Sequence, residues 1–128
     1  MSESEAAVRV EGLAKVFYDE GRGEVRAVDG VDFDCRSGEI FGLLGANGAG
    51  KTTTLRMIST VLVPTGGTAQ VMGLDVRTDP QGVRRNLGFY SATTALYPRL
   101  SARETLTLFE YVARARKGVA MARARDST

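Results

Sequence analysis

The chain has 128 residues, with 43% hydrophobic and 25% charged residues and a formal net charge of +2. That is one domain's length with an ordinary soluble globular mix, and a charge too small to argue for direct nucleic-acid binding. Without histidine and with Cys35 as the single cysteine, the chain has no intrachain disulfide, no His/Cys metal cluster and no imidazole acid or base. The first residues, with Glu3 and Glu5 and no long apolar run, do not read as a signal peptide. No stretch approaches the roughly 18 consecutive apolar residues of a membrane-spanning helix.

In chain order, residues 8–17 alternate well enough to predict a first strand. Asp19 to Glu24, with Gly21 and Gly23, reads as a turn. Residues 25–35 give a second strand with apolar positions at Val25, Ala27, Val28, Val31 and Phe33, and Arg36-Ser37-Gly38-Glu39 is a further turn. Ile40-Phe41-Gly42-Leu43-Leu44 is a continuous apolar run, the pattern of a parallel strand buried on both faces. Helical spacing of Leu55, Ile58, Ser59 and Leu62 predicts a helix over 51–62, closed by Pro64 and Gly66-Gly67. A strand over 68–74, a short helical or turn segment from Asp79-Pro80 to Arg85, and a strand over 87–90 follow. Ser91 to Leu100 is a loop. Ser101-Ala102-Arg103-Glu104 has the form of a capping box, and Leu106, Phe109, Val112 and Ala113 then make an apolar stripe on a helix of about 15 residues. A stripe of this kind is more often core than partner surface. Asp75 and Asp79 read as turn formers rather than acidic ligands, and the arginines from Arg114 onward as a solvated basic end.

Between the predicted buried strand and the helix lies Gly45-Ala46-Asn47-Gly48-Ala49-Gly50-Lys51-Thr52, which fits G-x-x-x-x-G-K-[ST]. Glycines at 45, 48 and 50 let the backbone approach a ligand closely. Successive amide N–H groups, including those of Asn47, Gly48, Ala49 and Gly50, can then converge on phosphate at the positive end of the following helix. Lys51 is placed to reach the β- and γ-phosphates, Thr52 to give its hydroxyl to Mg²⁺, and Thr53 to hydrogen-bond the α-phosphate. The ligand expected from the motif is a nucleoside triphosphate with Mg²⁺.

Residues 38–55 around this motif resemble the core of an ATP-binding cassette (ABC) transporter nucleotide-binding subunit. Leu13-Ala14-Lys15-Val16-Phe17, Ala27 to Phe33, Pro64 to Thr68 and Gly73 to Val76 are also similar to that family. Arg84 to Phe89 and Leu96 to Glu104 resemble its exporter-type members, including the sodium or drug efflux branch. The likeness covers about residues 8–113. It implies a P-loop NTPase α/β fold of ABC type, with an antiparallel β subdomain and the start of a RecA-like core. It implies ATP and Mg²⁺ as cofactors, Phe17 as the aromatic that stacks on adenine, and a partial nucleotide-binding domain over 8–116 with a basic tail at 117–128. Implied partners are a transmembrane permease subunit and a second nucleotide-binding domain, with a cytoplasmic location at the inner face of the cell membrane.

The sequence departs from the family where a Gln usually follows the strand at 87–90; by register that position is Ala92, whose methyl group cannot hold a cation. It has no LSGGQ-like signature, no apolar run ending in Asp-Glu and no switch histidine. The expectation is therefore the N-terminal half of a cassette, the ATP-binding component of a membrane export system, with no catalytic residue to name and no hydrolysis alone. The alternative is a nucleotide-binding fragment without transport function. A GTPase would carry N-K-x-D, which is missing.

Overall fold

The computed structural model describes residues 6–46, 48–90, 98–112 and 114. Two compact units divide the chain, Met1–Phe89 and Tyr90–Thr128.

The first unit is built on a four-stranded antiparallel sheet. β1 (Ala6–Asp19) and β2 (Gly23–Arg36) form a long hairpin, and β3 (Gly66–Val71) pairs with the other side of β1. β4 (Leu74–Asp75) adds a short edge, giving the order β2-β1-β3-β4. The first turn is fixed by Asp19, whose Oδ1 accepts from the amides of Gly21 and Arg22 at 2.8 and 3.0 Å. This side chain imitates the backbone acceptor of a turn, which is why the sequence shows it clearly.

β1 is irregular between Val10 and Val16, with register shifts against β2. At Gly12 the amide turns out of the ladder and donates instead to Asp32 Oδ1 at 2.7 Å. An orphaned donor is thereby satisfied by a side chain from the neighbouring strand. A second irregularity falls on β2. Lys15 pairs with Val28 and the next residue, Val16, with Arg26, so Ala27 is an extra, bulged residue.

Two helices cover the sheet. α1 (Lys51–Ile58) packs against β2 and β3, and α2 (Pro80–Asn86) against β3 and β4. The core between them is Val10, Leu13, Val28, Met57, Ile58, Ala69, Val71, Val76 and Val83. Complete burial of a side chain such as Leu13 or Val83 contributes about 1.5–3 kcal/mol. α2 starts as its sequence suggests: Asp79 caps it through a 2.9 Å bond from the Gly82 amide, and Pro80 occupies the first helical position, where its missing N–H costs nothing.

α1 ends earlier than the apolar spacing predicts. Thr60 adopts φ 67°, its amide donates to Met57 O at 3.2 Å, and the Val61 amide donates to Arg56 O at 2.9 Å. That bond pair is a Schellman motif, with a threonine where glycine is usual. Gly66 and Gly67 are consequently the first residues of β3 rather than a helix stop.

The larger correction concerns the predicted parallel strands. Residues 40–44 are not in a strand, and Ile40 and Leu44 are 104% and 97% exposed. Phe41 stacks on Phe33 of β2, with ring centroids 4.8 Å apart. Residues 87–90 are not in a ladder either, although Leu87 has extended dihedrals (φ −130°, ψ 132°). The physical reason is shared. A strand apolar on both faces needs neighbours on either side, and among the described residues no strand pairs with either segment. The antiparallel subdomain and the phosphate-loop helix are thus present, without a parallel core sheet among the described residues.

In the second unit residues 102–112 are helical. The capping box forms as predicted: the Ser101 amide and hydroxyl both donate to Glu104 Oε2 at 2.7 Å, and the Glu104 amide donates to Ser101 Oγ at 3.3 Å. Those hydrogen bonds, the Ser101 hydroxyl's foremost and then its amide's, hold the Glu104 carboxyl below its ordinary value. The stripe does not form a core: Leu106, Phe109 and Val112 are all exposed. Ala92, Ala113 and the tail at 117–128 lie outside the described residues.

Candidate functional site

The glycine-rich loop leads directly into α1. Gly50 is the N-cap residue, at φ 94° and ψ 9°. No side chain caps this helix start and no acidic residue occupies its first turn. The first-turn amides and the positive end of the helix dipole are therefore not neutralised by a carboxylate, the arrangement that favours a bound anion. A tight turn precedes it, with the Ala49 amide donating to Ala46 O at 3.1 Å. Thr54 secures the helix start from below: its amide and its hydroxyl both donate to Gly50 O, at 2.9 and 2.8 Å.

Lys51 folds back over the loop, and its ammonium donates to the Gly45 carbonyl. Thr52 is exposed and Thr53 half-buried. Together with Gly48, Gly50 and Ala27 these three residues line an open depression of about 290 Å³. Ligand sites commonly run from about 300 to 1,000 Å³, so this one suits the phosphate end of a nucleotide. Among the described residues no acidic residue lines it. Among the described residues no group of three or more His, Cys, Asp or Glu could hold a metal by itself.

The structure brings Gly48, Gly50, Lys51, Thr52 and Thr53 together. Gly45 joins through its carbonyl, and Ala49 belongs to the loop without lining the depression. Asn47 lies outside the described residues. Phe17 sits on β1 opposite Val25, 40% exposed, and is not part of the lining. Ala27, which is part of it, lies two residues further along β2, a distance of about 7 Å at the usual strand rise.

Ala27 is the residue that sequence reasoning missed. No motif marks it, because its role comes from the bulge. Its carbonyl lies so close to Gly50 that a Cβ on Gly50 would overlap it and would meet Val28 Cγ2 at 3.1 Å. The glycine at position 50 is thus needed twice, for its backbone conformation and for the contact between loop and sheet. Beside the bulge, Arg26 is engaged by Asp29 at 2.9 Å and Glu24 at 3.5 Å, and the hydrogen bond to Asp29 leads in raising its already high pKa.

A comparison with protein families matches residues 28–128 to the ABC transporter model. The chain belongs to the ABC transporter family. Relatives include the daunorubicin/doxorubicin resistance ATP-binding protein DrrA of Streptomyces peucetius, 39% identical over 120 residues, covering 94% of this chain and 34% of the relative. The probable multidrug ABC transporter ATP-binding protein YbhF of Escherichia coli K12 is 40% identical over 108 residues, 84% of this chain and 18% of the relative. The chain thus spans about a third of the length of the first of these relatives and less than a fifth of the second. Among solved structures, a bacterial ABC transporter cassette described as dimeric superposes with TM-score 0.69 at 24% identity, over 79% of this chain and 45% of that one. A cassette in a post-hydrolysis state bound to ADP and Pi gives 0.67 at 25% identity, over 77% and 44%. This ABC chain therefore has the fold of the N-terminal part of a cassette, and these relatives are named as drug-resistance or probable multidrug transporter ATP-binding proteins.

Proposed function

We propose that this chain is the ATP-binding part of an ABC-type export component, and that it binds the triphosphate of ATP at Gly45–Thr53. The observation that carries this is the α1 start, uncapped and free of acidic side chains, opening on a depression lined by Lys51, Thr52 and Thr53. Loop amides and the helix end supply fixed donors for phosphate oxygens, and Lys51 exchanges its bond to Gly45 O for a phosphate oxygen. The donor set also fits Mg²⁺: the hydroxyl of Thr52 is exposed at the rim, and the remaining ligands would be phosphate oxygens and water. Bound there, Mg²⁺ would neutralise phosphate charge. Phe17, about one nucleoside's reach along the sheet from Ala27, serves the adenine end.

Binding is not turnover. Phosphoryl transfer needs a group that orients the attacking water, and among the described residues no carboxylate lines this depression. ATP is therefore held and not hydrolysed by the isolated chain. Transport function places it, as one partial nucleotide-binding domain over 8–116 with a basic tail, at the cytoplasmic face of a membrane, beside a permease subunit and a second nucleotide-binding domain. Among the described residues no helix is long and apolar enough to cross a membrane. Binding without transport is the second reading.

The deciding experiment is calorimetric titration of the purified chain with ATP and Mg²⁺. Saturable binding weakened at least tenfold by Lys51→Ala is expected. Undiminished binding in that variant would remove the loop from the site, and phosphate release that depends on Lys51 would overturn the claim of no turnover. Co-purification with a permease separates transport from binding alone.

A further inference from the structure

Lys15 lies outside the phosphate loop, yet it makes two contacts that tie distant parts of the site together. Its ammonium donates to the Val63 carbonyl at 2.8 Å. The same ammonium stands over the ring of Phe17, 5.2 Å from its centroid. Val63 belongs to the segment that leaves α1 for β3, and that segment is joined to β1 at two further points. The Val16 amide donates to Thr65 Oγ1 at 3.1 Å, and the Thr65 amide donates to Ala14 O at 2.9 Å. The stretch of β1 that carries Phe17 is therefore registered against the chain leaving the phosphate-binding helix.

We propose that Lys15 is a positioning residue for the nucleoside end of the site, holding the Phe17 ring where a purine base stacks. The inference rests on the reading of Phe17 as the base-contacting aromatic. A half-exposed phenyl ring on a strand is free to change rotamer. A cation fixed by a carbonyl on another segment and held over one ring face restricts it, while the residue, 40% exposed, keeps surface for a base to stack on. Lysine suits the task because its long stem reaches Val63 while its compact charge faces the ring. Lys15 is not among the residues that line the depression at the start of α1, so its effect falls on the base and not on the triphosphate.

The test compares ATP with inorganic tripolyphosphate, both with Mg²⁺, on the full chain by calorimetry. Lys15→Met keeps most of the stem and removes the charge. It is expected to weaken ATP binding about two- to fivefold while leaving tripolyphosphate unchanged, the scale of an exposed cation–π contact. Lys15→Arg should recover most of the loss. Phe17→Ala should weaken ATP alone, and adding Lys15→Met to it should weaken ATP no further. Equal losses for both ligands, or no loss for either, would overturn the proposal, as would a Lys15→Met chain that no longer binds tripolyphosphate. If Phe17→Ala leaves the ratio of the two affinities unchanged, the reading of Phe17 falls and this inference with it. If Phe17→Ala changes that ratio and Lys15→Met does not, only the role of Lys15 falls.

Discussion

Replacing Gly50 by alanine tests the contact between loop and sheet. Two costs follow from the structure. The backbone at φ 94° lies where a side chain is strained, at about 1–3 kcal/mol. The new methyl group would also overlap the Ala27 carbonyl and press on Val28 Cγ2 at 3.1 Å, an overpacking cost of about 1–3 kcal/mol. The sum, about 2–6 kcal/mol, rivals the whole stability of many small domains. Gly48→Ala is the control: its φ of 84° carries the same backbone strain, but nothing lies within 4 Å of a Cβ there. Urea denaturation followed by far-UV circular dichroism should therefore place Gly50→Ala at least 1 kcal/mol below Gly48→Ala. Equal midpoints and slopes for the two variants would show that α1 does not press on the bulge, and the account of Gly50 would be wrong.

Three further outcomes are expected. Thr60→Gly relieves the left-handed residue at the end of α1 at the loss of one exposed bond from Arg84 Nη1, so thermal melting should show a net gain of about 0.5–1 kcal/mol; a loss would mean that the bond outweighs the strain. Asp32→Ala removes the exposed bond to the Gly12 amide and should lower stability by about 0.5–1 kcal/mol in urea, with Asp32→Asn retaining most of it. Glu104 has a lowered pKa, so its capping contribution is full above the ordinary glutamate value and is lost as pH falls through the depressed one. A carboxyl NMR titration should find Glu104 titrating at lower pH than in Ser101→Ala, and coincident curves would contradict the box.

What could be read from the sequence was local. The glycine-rich turn into α1, the Asp19 turn, the Asp79-Pro80 helix start and the Ser101–Glu104 box each consist of neighbours in the chain, whose partners lie within a few residues. What could not be read depends on distant partners. Residues 40–44 carry the pattern of a buried strand, but pattern expresses only what a segment requires, and strand formation also depends on which neighbours are present. The bulge at Ala27 arises from pairing between two strands, and its importance appears only when the loop meets it. Thr60 hid the end of α1 because a β-branched residue in the left-handed region has no propensity signal to announce it.

β1 is bonded on both sides, to β2 and to β3, while residues 40–46 belong to no ladder. These differ in how they open. Amides of β1 near Val8 to Val10 exchange with solvent only when the whole sheet separates, whereas those of residues 40–46 exchange through local excursions. Residues 40–46 can therefore rearrange many times within the lifetime of one folded sheet. A ligand that slows exchange in the loop while leaving β1 unchanged would reveal this separation of timescales.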